Sequence, residues 1–127
     1  MEEVLSIRNL NKTFESGFKL KDINFDIKEE EVVSLIGESG SGKTSISKII
    51  VGLLKADGQI LFKGMNILEN PKKINGKIQM IFQSPYSSLN PKYKIKDIIL
   101  EGVIYQKVLE KEENIDEYLL NILNEVG

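Results

Sequence analysis

Neither cysteine nor histidine occurs among the 127 residues. The first absence excludes disulfides and thiolate metal sites, and the second removes the usual general base and the commonest metal ligand at neutral pH. Any chemistry has to run on hydroxyls, amides, carboxylates, lysine and the backbone. An excess of positive charge is missing as well. The chain carries 17 basic and 19 acidic residues for a net charge of −2, spread along its length, with none of the basic footprint of a nucleic-acid binder. Nucleic acid is therefore not an expected partner. No stretch approaches the roughly 18 apolar residues that a membrane span needs. The first ten residues, with Glu2 and Glu3, lack the basic-then-apolar order of a secretory signal. These absences predict a cytoplasmic chain with no direct membrane span.

What is present suits one globular core, with 41% hydrophobic and 28% charged residues. Residues 21–27 alternate, with Ile23, Phe25 and Ile27 apolar and Asp22, Asn24 and Asp26 polar, the period of a strand with one wet face. After three glutamates, Val32, Val33, Ser34, Leu35 and Ile36 form a continuous apolar run that predicts a central strand covered on both faces. A glycine-rich stretch follows, and from Thr44 onward Ile46, Ile49, Ile50, Leu53 and Leu54 fall at helical spacing. Asp57-Gly58 and Lys63-Gly64 bracket a short strand at 59–62, and residues 79–83 predict another, stopped by Ser84-Pro85. From Ile95 the pattern predicts one or two helices, with Tyr118, Leu119, Ile122, Leu123 and Val126 as an apolar stripe. The acidic positions between Glu110 and Glu117 read as a solvated face with no catalytic role.

The chemistry concentrates in Gly37-Glu38-Ser39-Gly40-Ser41-Gly42-Lys43-Thr44. Two glycines bracket four residues and are followed by lysine and a hydroxyl residue, the P-loop pattern for binding phosphate. Glycines let backbone N–H groups turn inward, and the following helix adds its unpaired N–H groups and positive dipole end at the same point. Lys43 is placed to reach the β- and γ-phosphates, and the Thr44 hydroxyl to give Mg²⁺ one oxygen ligand. The implied ligand is Mg²⁺-ATP. A dinucleotide-binding turn fits less well, because its fingerprint lacks the lysine and the hydroxyl.

The segment Gln79-Met80-Ile81-Phe82-Gln83-Ser84-Pro85-Tyr86-Ser87-Ser88-Leu89-Asn90-Pro91 resembles the Q-loop region of ABC transporter ATPases, in particular the oligopeptide, dipeptide and nickel uptake group. An unrelated P-loop kinase or GTPase does not explain it. The resemblance implies an α/β P-loop NTPase of the ABC type, truncated, with an N-terminal antiparallel β-subdomain. Residues 1–83 would hold that subdomain, the Walker A loop and the first helix up to the Q-loop, and residues 84–127 the start of the helical subdomain. By the same resemblance Gly37, Glu38, Ser39, Gly40, Ser41, Gly42, Lys43, Thr44 and Ser45 hold the nucleotide phosphates. Gln83 contacts the Mg²⁺ and the attacking water, and Phe14 stacks on adenine. As plain sequence, Phe14 reads equally as a core filler and Gln83 as a polar end to a strand. Ser84 departs from the acidic or amide residue usual there, and Glu29, Glu30 and Glu31 stand where a glycine is usual.

The family's signature loop, Walker B strand, catalytic glutamate and switch histidine would follow residue 127, so the chain alone is expected not to hydrolyse ATP. The implied role is ATP binding in the ATPase subunit of a transporter for oligopeptides or a related small solute. That subunit is peripheral on the inner face of the membrane, with transmembrane permease subunits and a second ATP-binding subunit as partners. The alternative is a non-hydrolysing nucleotide-binding module that docks a transporter partner.

Overall fold

Leu5, Ile7 and Leu10 of the first strand, β1 (Glu3–Thr13), are all buried, although strict alternation would put Leu10 on the opposite face from the other two. The computed structural model, which describes residues 2–74, 76–106 and 114–127, shows how the phase changes. Asn9 sits in the left-handed region (φ 48°), and the register slips there against both neighbouring strands. The second strand, β2 (Lys19–Lys28), does the same at Asp22 (φ 50°), so that Leu20 and Ile23 both serve the core. Bulges of this kind leave ladder groups unpaired, and asparagines take them up. The Asn9 N–H donates to Asn24 Oδ1 at 2.8 Å and the Asp22 N–H to Asn11 Oδ1 at 2.9 Å.

β3 (Asp57–Phe62) pairs antiparallel with the other side of β1, and β4 (Met65–Asn66) with β3, for a sheet order of β2-β1-β3-β4. The expected turn at Asp57-Gly58 is instead the start of β3. Gly58 has φ 116°, and a Cβ there would lie 2.4 Å from the carbonyl oxygen of Asn9, so only glycine can pass the β1 bulge. The helix after the glycine loop, α1 (Lys43–Ile50), brings Ile46 and Ile49 into one buried cluster with Leu5, Ile7, Leu10, Leu20, Ile60, Ile67 and Ile74. It ends earlier than the apolar spacing predicts. Leu54 still packs against the cluster from beyond the helix, whereas Leu53 is exposed.

The chain divides into two units, Met1–Met80 and Ile81–Gly127. In the second, α2 (Ile95–Gln106) and α3 (Ile115–Val126) contact one another and bury Leu100 and Leu119. Of the expected stripe on α3, Leu119 is buried, Tyr118 and Ile122 are half-buried, and Leu123 and Val126 are exposed. The Asn114 side chain caps α3, accepting from the N–H groups of Asp116 at 3.1 Å and Glu117 at 3.5 Å. Of the acidic face expected between 110 and 117, positions 110–113 lie outside the described residues, while Asp116 and Glu117 are exposed on the first turn of α3. Among the described residues no helix is long and apolar enough to cross a membrane.

Two expected strands are absent. Residues 32–36 and 79–83 form no ladder, and Val32, Ile36 and Ile81 are 94%, 95% and 92% exposed. An apolar run becomes a strand only when a neighbour accepts its backbone hydrogen bonds, and no described strand pairs with either segment.

On the polar side of β1 and β2, Asp26 accepts from Ser6 Oγ at 2.6 Å and pairs with Arg8 at 2.5 Å. The Arg8 bond, with the Ser6 bond second, holds the Asp26 carboxyl below the usual carboxylate range, and the Asp26 bond in turn raises Arg8. A depressed carboxyl contributes stability above its unfolded pKa of about 3.9 and loses it as pH falls through the lower folded value. Melting curves taken from neutral to acid pH should therefore show wild type losing part of its advantage over Asp26→Asn as the pH falls below about 4. Parallel curves for the two proteins would disprove the linkage.

Candidate functional site

The glycine loop leaves the core exposed and returns to it at Gly42. Residues 32–41 are all solvent-exposed, and the loop turns back through left-handed glycines, Gly40 at φ 81° and Gly42 at φ 100°. Gly42 is the N-cap of α1 and brings no side-chain cap, and no acidic residue occupies the first helical turn. The first backbone bond of the helix runs from the Ile46 N–H to the Gly42 carbonyl at 2.9 Å. Ahead of it, the N–H groups of the opening turn have no partner within the helix and point out of its positive end.

Lys43 closes the loop upon itself. Its Nζ donates to the carbonyl oxygens of Gly37 and Glu38, both at 2.7 Å, and to Ser41 Oγ at 3.2 Å. All three donors of the ammonium are thus used inside the loop, and an arriving anion would exchange for some of them. Thr44 is exposed on the first turn of α1, with Ser45 half-buried beside it. Lysine, open backbone donors and a hydroxyl at one helix end fit a polyphosphate and a hard cation. Among the described residues no group of three or more His, Cys, Asp or Glu could hold a metal ion. Of the side chains in the loop and the first turn of α1, the Thr44 hydroxyl is one that would suit a Mg²⁺ ion brought in with a phosphate ligand.

Phe14 lies in the turn between β1 and β2, which is closed by its N–H to Phe18 O bond at 2.9 Å. The ring is half-buried against the core cluster, with Lys12 Nζ 5.1 Å from its centroid and the Phe18 ring 5.7 Å away, tilted by 40°. The Phe14 ring touches the core, and Lys12 lies over one of its faces. Gln83 belongs to the second unit, outside any regular element and exposed, next to the short 3-10 turn Pro85–Ser88 that Ser84 precedes. The Ser84 carbonyl accepts from Ser87 Oγ at 2.7 Å, so its backbone is engaged in that turn.

Sequence reasoning passed over Phe18 and Leu20, both of which meet the loop. A Cβ on Gly42 would lie 2.4 Å from Leu20 Cδ2 and 3.3 Å from the Phe18 ring. With its φ of 100°, that contact restricts the position to glycine. The signal in the sequence was Phe14 and Phe18 flanking the Glu15-Ser16-Gly17 turn, but the bulge at Asp22 hid which face Leu20 would take.

Comparison with known proteins agrees with this geometry. The ABC transporter family profile matches residues 20–127. The oligopeptide transport ATP-binding protein AmiF of Streptococcus pneumoniae is 39% identical over 99% of this chain, and OppF of Bacillus subtilis is 37% identical over 99%. The chain spans 44% and 45% of those relatives, which is less than half their length. Among solved structures, CbiO1 from Clostridium perfringens, part of an ABC transporter complex, superposes over 98% of this chain and 49% of its own with a TM-score of 0.71 and 26% identity. A nucleotide-free ATP-binding cassette from an ABC transporter superposes over 97% of this chain and 53% of its own, with a TM-score of 0.66 and 28% identity. With the glycine loop, the helix that follows it and the antiparallel sheet beside them, the chain belongs to the ABC transporter family, as the N-terminal part of its ATP-binding domain.

Proposed function

We propose that this chain binds Mg²⁺-ATP as part of the ATPase subunit that powers an ABC transporter. The observation that carries the reading is the junction of Gly42, Lys43 and the uncapped start of α1, where an ammonium and free N–H groups converge on a loop open to solvent. Residues 37–45 would hold the phosphates, Thr44 the metal, and Phe14 the adenine. By the family resemblance, Gln83 would contact the metal and the attacking water, and residues 84–127 would begin the helical subdomain. Bound Mg²⁺, held by Thr44, would supply charge neutralisation at the phosphates. The chain's own groups position those phosphates, which is most of what protein contributes to phosphoryl transfer.

The names of the relatives support oligopeptides or a related small solute as the cargo, and the likeness of residues 79–91 to the uptake group supports import as the direction. Membership of the ABC transporter family supports permease subunits and a second ATP-binding subunit as partners, at the cytoplasmic face of the membrane. Titration with ATP, with and without Mg²⁺, tests the site. Wild type should bind more tightly with the ion. Thr44→Ala should lose about tenfold of that gain, the value of one bond to a charged group at about 1.5 kcal/mol. A Mg²⁺ dependence unchanged in Thr44→Ala would remove the hydroxyl from the metal site.

A further inference from the structure

Phe18 keeps a large ring 38% exposed at a position where neither the core nor the nucleotide reading calls for one. The turn holds the ring in place, through the Phe14 N–H to Phe18 O bond at 2.9 Å, the Gly17 N–H to Phe14 O bond at 2.9 Å and the tilted pairing with Phe14. The ring stands beside Gly42. Its Cε1 and Cζ stand 3.3 Å from where a Cβ would be, beside the still closer Leu20. Glycine is the residue least able to hold its own conformation, and residues 32–41 before it are exposed throughout. The loop therefore takes its bearing where Gly42 meets these two side chains.

We propose that Phe18 is a positioning residue for the phosphate loop. With Leu20 behind it, the ring confines Gly42 to the left-handed turn that aims the N–H groups of Lys43 and Thr44 outward, and it ties the loop to the β1–β2 turn. This rests on the nucleotide reading given above and adds a residue to it. Leu20 is 4% exposed and stays in the core without Phe18, so removing the ring loosens the loop and leaves the core standing.

Calorimetric titration of the full chain with Mg²⁺-ATP and with Mg²⁺-tripolyphosphate separates the possibilities, because tripolyphosphate has no base. Phe18→Ala should weaken both ligands by the same factor, about tenfold, the loss expected when one charge-assisted bond is no longer aimed. Phe18→Leu should restore most of the affinity, and melting of both variants should stay close to wild type. Unchanged tripolyphosphate binding by Phe18→Ala overturns the proposal, as does weakening of ATP alone, which would make Phe18 a contact to the base. An equal loss in Phe18→Leu, or a loss that tracks a fall in melting temperature, also overturns it. If wild type binds neither ligand, the nucleotide reading itself fails and this inference falls with it.

Discussion

Lys43→Ala is expected to weaken Mg²⁺-ATP binding by at least about 100-fold, with little change in thermal melting. A bond to a charged group contributes about 1.5–3 kcal/mol, and a factor of ten in affinity is about 1.4 kcal/mol, so two such bonds to phosphate oxygens account for the loss. The small effect on melting follows from where the lysine is anchored. Its three partners, Gly37 O, Glu38 O and Ser41 Oγ, all lie in the exposed loop, and none belongs to the buried cluster. Substitutions away from packed features usually stay within about 0.5 kcal/mol. Lys43→Arg should not rescue binding, since a planar fork cannot take the place of a compact ammonium between two carbonyls. Calorimetry giving equal affinities for wild type and Lys43→Ala would remove the loop from the binding site.

The second large effect expected is self-association of the purified 127-residue chain. Val32 and Ile36, and separately Ile81, are almost wholly exposed, and the backbone of residues 32–36 and of 79–83 makes no hydrogen bond among the described residues. Burying each such side chain contributes about 1.5–3 kcal/mol, and unpaired N–H and C=O groups beside them offer a template for strand pairing. Light scattering should show a mass that rises with concentration. A triple variant, Val32→Lys, Ile36→Lys and Ile81→Lys, should stay monomeric without loss of melting temperature, because none of the three sites is buried. A wild-type monomer at all concentrations, with slowly exchanging amides at both Val33 and Ile81, would refute this.

The glycine loop and the helix that follows it were legible in the sequence because their pattern is local. Eight consecutive residues carry the glycines, the lysine and the hydroxyl, and the helix start at Lys43 follows directly from the end of the glycine run. The amphipathic spacing of Ile46 and Ile49 likewise announced the face of α1 that is buried. The ABC character of the chain was readable for the same reason, in the short Q-loop segment around Gln83.

What the tertiary structure alone decided concerns pairing. Val32, Val33, Leu35 and Ile36 have the composition of a central strand, yet a strand is a relation between two segments, and without a partner ladder the run stays irregular and exposed. The bulges at Asn9 and Asp22 shift the side-chain phase midway along β1 and β2, which is why Leu10 and Leu20 joined the core against the alternation that Leu5, Ile7 and Ile23 follow. Since one residue of slip exchanges the two faces of a strand, no reading of periodicity could place Phe18 and Leu20 against Gly42. That contact exists only because the β1–β2 turn and the loop before α1 come together in space.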